Sequence, residues 1–322
     1  MKKKVGLALG SGAARGWAHI GIIESLQELG IEFDIVAGCS IGAYVGSAFA
    51  NNKLSELKEW VLTLNEWQVA SLLGMGFQKG GLVSGEKVFT KLASDFVPQN
   101  IEQLPMQFGA VATDLYRGRE VCFTEGDVVN AVRASCSIPA IFPAHWYRDK
   151  WLIDGAVVNP VPVSLCRQMG ADIVIAVNLN SNFYAAHQDA LEVEQQSNDD
   201  RFSQFLSKSK NVMAQWWGEN EDQPENTKET KTLPQLTETS SVQGVKRPKK
   251  SPTMIGTMAG ALDIMQDRVT RSRLAGDPPD ILLEPQLGKV GIMEFHRADE
   301  LIAEGHANVE RLAKQIKYRL GM

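Results

Sequence analysis

The stretch Phe33-Asp34-Ile35-Val36-Ala37 runs directly into Gly38-Cys39-Ser40-Ile41-Gly42, and Ala43 to Ala50 continues as a helix-compatible run. Strand, tight turn and helix in that order are the context in which a G-x-S-x-G pentapeptide forms a nucleophile elbow. Gly38 and Gly42 let the backbone turn sharply there and push the Ser40 hydroxyl into the open. The competing reading is a plain strand-to-helix connection with Ser40 as an N-capping serine. The surrounding sequence has to decide between them.

Upstream, Val5-Gly6-Leu7-Ala8-Leu9 reads as a buried strand leading into Gly10-Ser11-Gly12-Ala13-Ala14-Arg15-Gly16, and a helix pattern follows from Trp17 to Leu29, stopped by Gly30. A small-residue turn opening a helix presents unpaired N–H groups and the positive end of the helix dipole, which suits a phosphate or a developing oxyanion. As a dinucleotide fingerprint the loop fits badly. Glycines at 10 and 12 want a third at 15, where Arg15 stands, and Asp34 lies near the beginning of the next strand instead of its end. Downstream, Trp151-Leu152-Ile153 leads into Asp154-Gly155-Ala156. An aspartate leaving an apolar strand before a glycine is ordinarily a turn former, but an elbow serine needs a base, usually a histidine oriented by a carboxylate.

The chain has five histidines. His19 falls inside the first helix, and His187 opens a polar stretch. His145, amid Phe142-Pro143-Ala144-His145-Trp146, is expected to pack or to make a surface hydrogen bond. His296 and His306 stand where a Ser…Asp…His order would place a triad histidine, so both stay candidates.

The order of a glycine-rich loop with arginine, then G-x-S-x-G, then D-G-A resembles the patatin-like phospholipases, serine lipid acyl hydrolases that use a Ser-Asp dyad without histidine. Ala134-Ser135-Cys136-Ser137-Ile138-Pro139-Ala140-Ile141-Phe142-Pro143 resembles a further block of that family. Within the family the chain is similar to the bacterial, RssA-like subgroup. The resemblance implies Ser40 as nucleophile, Asp154 as general base and the N–H groups of Gly12, Ala13 and Ala14 as the oxyanion hole. It makes Gly10, Arg15, Gly16, Gly38, Gly42 and Gly155 motif or substrate-binding positions, with Arg15 facing a phosphate. It also implies a lipid acyl ester as substrate, an acyl-enzyme intermediate, and neither cofactor nor metal. The family has more glycines in the first loop, where Ser11 and Ala13 stand here; the donors keep their places provided those residues need no positive φ. A catalytically weak lipid- or partner-binding regulator on the same scaffold is the alternative. An aspartate of ordinary pKa, about 3.9, is a weak base for a serine hydroxyl, so burial is expected to raise it.

With 322 residues and 44% hydrophobic content, the chain can hold one large α/β domain or two smaller ones. A formal charge of −5 argues against nucleic acid as a partner. Cys39, Cys122, Cys136 and Cys166 show neither C-x-x-C spacing nor histidine grouping, and read as reduced thiols of a cytoplasmic protein. Lys2, Lys3 and Lys4 imitate the start of a signal peptide, but the apolar run after them breaks at Gly10-Ser11-Gly12, so none is expected. No segment approaches the length of a transmembrane helix, which leaves peripheral contact as the expected form of membrane association. The oligomeric state stays open.

Strands are expected at 4–9, 33–37, 108–113, 120–123, 173–177 and 281–283, and helices at 15–29, 42–50, 55–67, 84–94 with Ser84 as cap, 126–135, 161–169, 254–274 and 298–318. Near-continuous apolar strands separated by helices predict a three-layer α/β/α fold with a mostly parallel sheet and the site at the carboxyl ends of its strands. The expected organisation is a catalytic core over 1–184, an insert over 185–253, and a C-terminal part over 254–322 that packs on the core. Within the insert, Phe202 to Trp217 places aromatics at helical spacing among Arg201, Lys208 and Lys210, suiting either a membrane interface or a packing helix. Residues 219–252 have the composition of a disordered loop, and Lys246-Arg247-Pro248-Lys249-Lys250 either touches anionic lipid or solubilises it.

Overall fold

Apolar five-residue strands joined through helices can satisfy their backbone only in a sheet covered on both faces. The computed structural model, which describes residues 3–74, 84–181 and 254–322, shows this arrangement. In chain order the elements are β1 (Val5–Leu9), α1 (Ala18–Glu28), β2 (Ile35–Cys39), α2 (Ile41–Ala50), α3 (Leu54–Leu62), α4 (Glu66–Leu73), α5 (Glu86–Lys91), β3 (Gln107–Asp114) and β4 (Arg119–Phe123). They continue as α6 (Val128–Ser135), β5 (His145–Tyr147), β6 (Lys150–Asp154), α7 (Val163–Gln168), β7 (Ile173–Val177), α8 (Met254–Gly276), β8 (Ile281–Leu283) and α9 (Ala298–Leu320). The stretch 75–83, His187, the aromatic segment ending at Trp217, the basic run 246–250 and the polar insert lie outside the described residues.

The sheet is mixed and mostly parallel. β3, β2, β1, β7 and β8 run parallel side by side. β4 pairs antiparallel with β3, and the β5–β6 hairpin joins β3 through β6, also antiparallel. The register decides where the hairpin goes. Ala110 and Val111 pair with both β2 and β4, whereas Ala112 to Asp114 pair with both β4 and β6. Since a strand has two edges, β6 must take over the same edge of β3 on which β2 stops. β2 therefore ends at Cys39 and β6 ends at Asp154 head to head along one template strand.

One face of the sheet packs Leu7, Leu9, Val36 and Phe108 against α1, α2 and α6. The other packs Ala8, Ile35, Ala37 and Val111 against residues of α7. Helix α9 lies on α1 at very close range: a Cβ added at Gly21 would sit 2.1 Å from Ile302 O, and one at Gly305 2.3 Å from Ala18 O. These paired glycines let the two backbones touch, so the C-terminal part is fixed to the helix that follows the glycine loop.

Several boundaries differ from expectation. The helix expected over 55–67 is two, because Asn65 accepts from the Gln68 N–H and Gln68 Oε1 accepts from the Asn65 N–H, both at 2.9 Å, a capping box that starts α4 afresh. Gly85, at φ 62°, precedes α5, so Ser84 is not its cap. The first helix opens with a 3₁₀ turn, Ala13–Trp17. β2 ends two residues later than expected, which leaves Ser40 immediately after the strand. The β5–β6 hairpin was invisible as such because its turn, Arg148-Asp149, takes φ 48° and 56° without the Asn-Gly or Asp-Gly that announces such turns.

Candidate active site

Ser40 is the pivot between β2 and α2, with φ 55° and ψ −124°, a conformation that non-glycine residues rarely adopt. Its N–H donates to Ser135 Oγ at 2.8 Å, and its hydroxyl donates to Asp154 Oδ2 at 2.6 Å. Asp154 is held from every side: its N–H donates to Ser137 O at 2.9 Å, its O accepts from Thr113 Oγ1 at 2.8 Å, and its Oδ1 accepts from the Ala156 N–H at 2.8 Å. Ser135 and Ser137, near the end of α6, thus brace both halves of the pair. The sequence reading singled out their block only through the family resemblance and missed this bracing role.

Burial sets the chemistry. Desolvation raises the Asp154 carboxyl to about 7, opposed by the Ser40 and Ala156 hydrogen bonds. Burial also pushes the Cys39 and Cys136 thiols well above the usual range, so neither competes as a nucleophile near neutral pH. The Ser40 hydroxyl is not in the open as expected: the residue is 3% exposed and lines an apolar pocket with Ala13, Trp17, Tyr44, Phe142 and Phe295.

The first loop corrects two expectations. Ala14 was expected as an oxyanion donor, but its N–H donates to Ile292 O at 3.1 Å. The N–H groups of Gly12 and Ala13 meet no acceptor among the described residues and are the two donors left. Ala13, moreover, adopts φ 49°, the positive value its donor role was expected to avoid. The alanine bears a strain of about 1 kcal/mol that glycine would not. Arg15, expected to face a phosphate, is buried; its Nε donates to Val290 O at 2.9 Å and its guanidinium also reaches Asn180 Oδ1 at 3.3 Å. With Trp17 Nε1 on Phe295 O at 3.1 Å, residues 290–295 strap the loop down. Nothing in the loop's own sequence points to that strap, 275 residues from Arg15 to Val290 along the chain.

Gly10, Gly16, Gly38, Gly42 and Gly155 all sit where an added Cβ would come within 2.5 Å of another atom, which makes them close-packing positions. At Gly42 that Cβ would meet Leu9 O at 2.2 Å and Gly10 O at 2.7 Å, rigid backbone of the strand feeding the loop. Gly42→Ala is therefore expected to lower stability by about 1–3 kcal/mol, read as a shifted urea midpoint. An unchanged midpoint would mean that the loop and the elbow are less tightly apposed than this geometry requires.

None of the described histidines bonds to Ser40 or Asp154. His19 Nε2 contacts Gly10 O at 2.8 Å, and its burial lowers its pKa to about 4. It holds the first loop, a role that sequence reading missed. His145 Nε2 contacts Asn130 Oδ1 at 2.8 Å. His306 lies 3.1 Å from Glu24 and His296 3.9 Å from Glu66. Among the described residues no cluster suits a metal ion, and no helix is long and apolar enough to cross a membrane.

Comparison with known proteins gives a consistent result. The family model described as Patatin-like phospholipase matches residues 7–167. An uncharacterized NTE family protein of Mycobacterium tuberculosis is 32% identical over 324 residues, covering 94% of this chain and 89% of that protein. Patatin-like phospholipase domain-containing protein 7 of Rattus norvegicus is 32% identical over 184 residues, 55% of this chain and 14% of that protein. Lysophospholipase NTE1 of Pyricularia oryzae is 32% identical over 185 residues, 56% of this chain and 12% of that protein.

Proposed function

The chain belongs to the patatin-like phospholipase family, a family of carboxylic ester hydrolases, and from that premise we propose that Ser40 and Asp154 are the catalytic dyad of a serine lipid acyl hydrolase acting on phospholipids or lysophospholipids. The observation that carries this is the direct 2.6 Å hydrogen bond from the Ser40 hydroxyl to a buried carboxylate whose pKa lies near neutrality. Such a carboxylate is a far better base than an ordinary aspartate and needs no histidine between it and the serine.

In the proposed cycle Asp154 takes the hydroxyl proton as Ser40 Oγ attacks the ester carbonyl, and the N–H groups of Gly12 and Ala13 receive the oxyanion. One such donor is worth about 10²–10³ in rate. Collapse of the tetrahedral intermediate expels the alcohol, which takes the proton from Asp154. Water then attacks the acyl-enzyme, giving a proton to Asp154, and collapse of this second tetrahedral intermediate frees the fatty acid as Asp154 returns that proton to the departing Ser40 Oγ. The apolar pocket beside Ser40 suits an acyl chain. The catalytic unit is assigned to residues 1–184 with 254–322, in an RssA-like bacterial protein that works in the cytoplasm or at the inner face of the membrane.

Hydrolysis of p-nitrophenyl esters, lysophospholipids and diacyl phospholipids tests the reading, and inertness toward all three would sink it. The pH profile adds a sharper expectation. Asp154 must be ionised to act, so kcat/KM on a p-nitrophenyl ester should rise with pH through a limb centred at about 7. A limb at the ordinary aspartate pKa, about 4, would show that the base is not this buried carboxyl. Stability runs the other way. A carboxyl whose pKa is raised by folding contributes stability below its unfolded value of 3.8 and loses it as pH rises through about 7.

A further inference from the structure

Of the two free donors in the first loop, only one has room for a side chain. A Cβ added at Gly12 would lie 2.8 Å from Leu179 Cδ1 and 2.9 Å from Leu179 Cβ, against a buried side chain. Ala13 is the opposite case: from Gly6 to Ile23 it is the one residue that is not fully buried. It lines the pocket beside Ser40, whose wall is almost wholly carbon, so what Ala13 adds to that wall is carbon. Ser11, the other residue in place of a glycine, is buried and does not line the pocket.

The methyl of Ala13 is held there against the preference of its own backbone. At φ 49° an alanine is strained and a glycine is not. Its neighbours leave no way to relax. The Ser11 N–H donates to Pro160 O at 2.9 Å, the Ala14 N–H to Ile292 O at 3.1 Å and Arg15 Nε to Val290 O at 2.9 Å. Backbone strain persists only where the surroundings over-determine it, and such places cluster at functional sites. Ala13 is not part of the hydrophobic core, so packing does not account for its methyl. The pocket does.

Bond geometry fixes what the methyl meets. The Ala13 Cβ is two bonds, about 2.5 Å, from the nitrogen that receives the oxyanion. A carbonyl bound at that nitrogen brings its own substituents up to the methyl. Ala13 shares its pocket with Tyr44, Leu64 and Phe142, so the substituent on its side is the acyl chain and not the leaving alcohol. The carbon next to the carbonyl is the part of that chain closest to the loop.

We infer that the Ala13 methyl selects acyl groups unbranched at the carbon next to the carbonyl, so that straight-chain acyl esters are accepted and 2-alkyl-branched ones are turned away. This rests on the lipid acyl hydrolase reading, which places the ester carbonyl at the N–H groups of Gly12 and Ala13. One carbon too many in a shaped apolar site changes kcat/KM by about 10–200-fold.

The test compares p-nitrophenyl butyrate with its isomer p-nitrophenyl isobutyrate, which has the same carbons but a branch beside the carbonyl. Dividing each kcat/KM by the rate at which hydroxide hydrolyses the same ester removes their intrinsic difference. The full wild-type chain should prefer the butyrate by about 10–200-fold. Ala13→Gly should lower this preference by about tenfold through faster turnover of the isobutyrate. Its urea midpoint should be no lower than wild type, since glycine accepts the positive φ. Ser11→Gly adds a glycine to the same loop behind the pocket wall and should keep the wild-type preference. The proposal is overturned if Ala13→Gly keeps the preference, if it loses it only because the butyrate slows, or if its midpoint falls, which would make the methyl a packing group. Equal relaxation by Ser11→Gly overturns it too, because loop stiffness and not the methyl would then be the selective element. Wild-type hydrolysis of both esters without preference rejects this inference alone, whereas a chain that hydrolyses neither ester rejects the hydrolase reading on which it rests.

Discussion

Ser40→Ala lowers ester turnover by on the order of 10⁵–10⁶-fold, because removing a nucleophile stops the whole covalent cycle and leaves only what the pocket and its donors achieve with water. The fold should survive. Alanine inherits the same positive-φ position, and the variant loses one hydrogen bond, on the order of 1 kcal/mol. The buried Asp154 carboxyl is not left as a bare charge, since the Ser40 bond is one of the two interactions that lower its pKa. Without that bond the carboxyl holds its proton more tightly. A fluorophosphonate probe should label the wild-type chain on Ser40 and leave the variant unlabelled. Retention of a tenth of the turnover in a clean preparation, or labelling at another serine, would remove Ser40 from the nucleophile's place.

The second large effect is expected at Asp154→Asn, which should slow acylation by about 10²–10⁴-fold. An amide keeps the shape and can still accept from the Ala156 N–H, but it presents Ser40 with a donor where a base stood. At pH 8 the variant should melt no lower than wild type, since it replaces a carboxylate whose charged form folding disfavours. The histidines provide the contrast. His145→Gln, His296→Gln and His306→Gln should keep most activity, since their contacts are with Asn130, Glu66 and Glu24. His19→Gln is a different case: it disturbs the loop at Gly10 and should cost stability and some rate. What it should not do is move the limb near pH 7, since His19 titrates at about 4 and Asp154 at about 7. A properly folded histidine variant that both loses activity as Ser40→Ala does and abolishes that limb would overturn the dyad and restore a triad.

Much of this site was written locally. The residues 38–42 announce their own elbow, because glycines on both sides of the serine leave room for a sharp turn between a strand and a helix. The aspartate at the end of an apolar strand is an equally short-range feature, as are most of the strands and helices that carry the site. A mostly parallel sheet covered by helices follows from the same repeating pattern of apolar strands and intervening helices. Each of these signals sits inside a window of a few residues, which is why it could be read in sequence.

What the tertiary structure decided is everything that depends on two distant segments meeting. The 2.6 Å hydrogen bond spans 114 residues of chain and exists because β3 receives β2 and β6 end to end on one edge. The raised Asp154 pKa follows from burial, which is a property of the packed core and not of an Asp-Gly dipeptide. Ala14 lost its place as a donor to a carbonyl at Ile292, Arg15 was turned to strapping the loop, and a hairpin with no turn signature set Asp154 at the end of β6. Sequence alone determined which residues could do the chemistry and on what kind of fold. Only non-local pairing, which no local propensity encodes, decided which of them touch and which donors remain free.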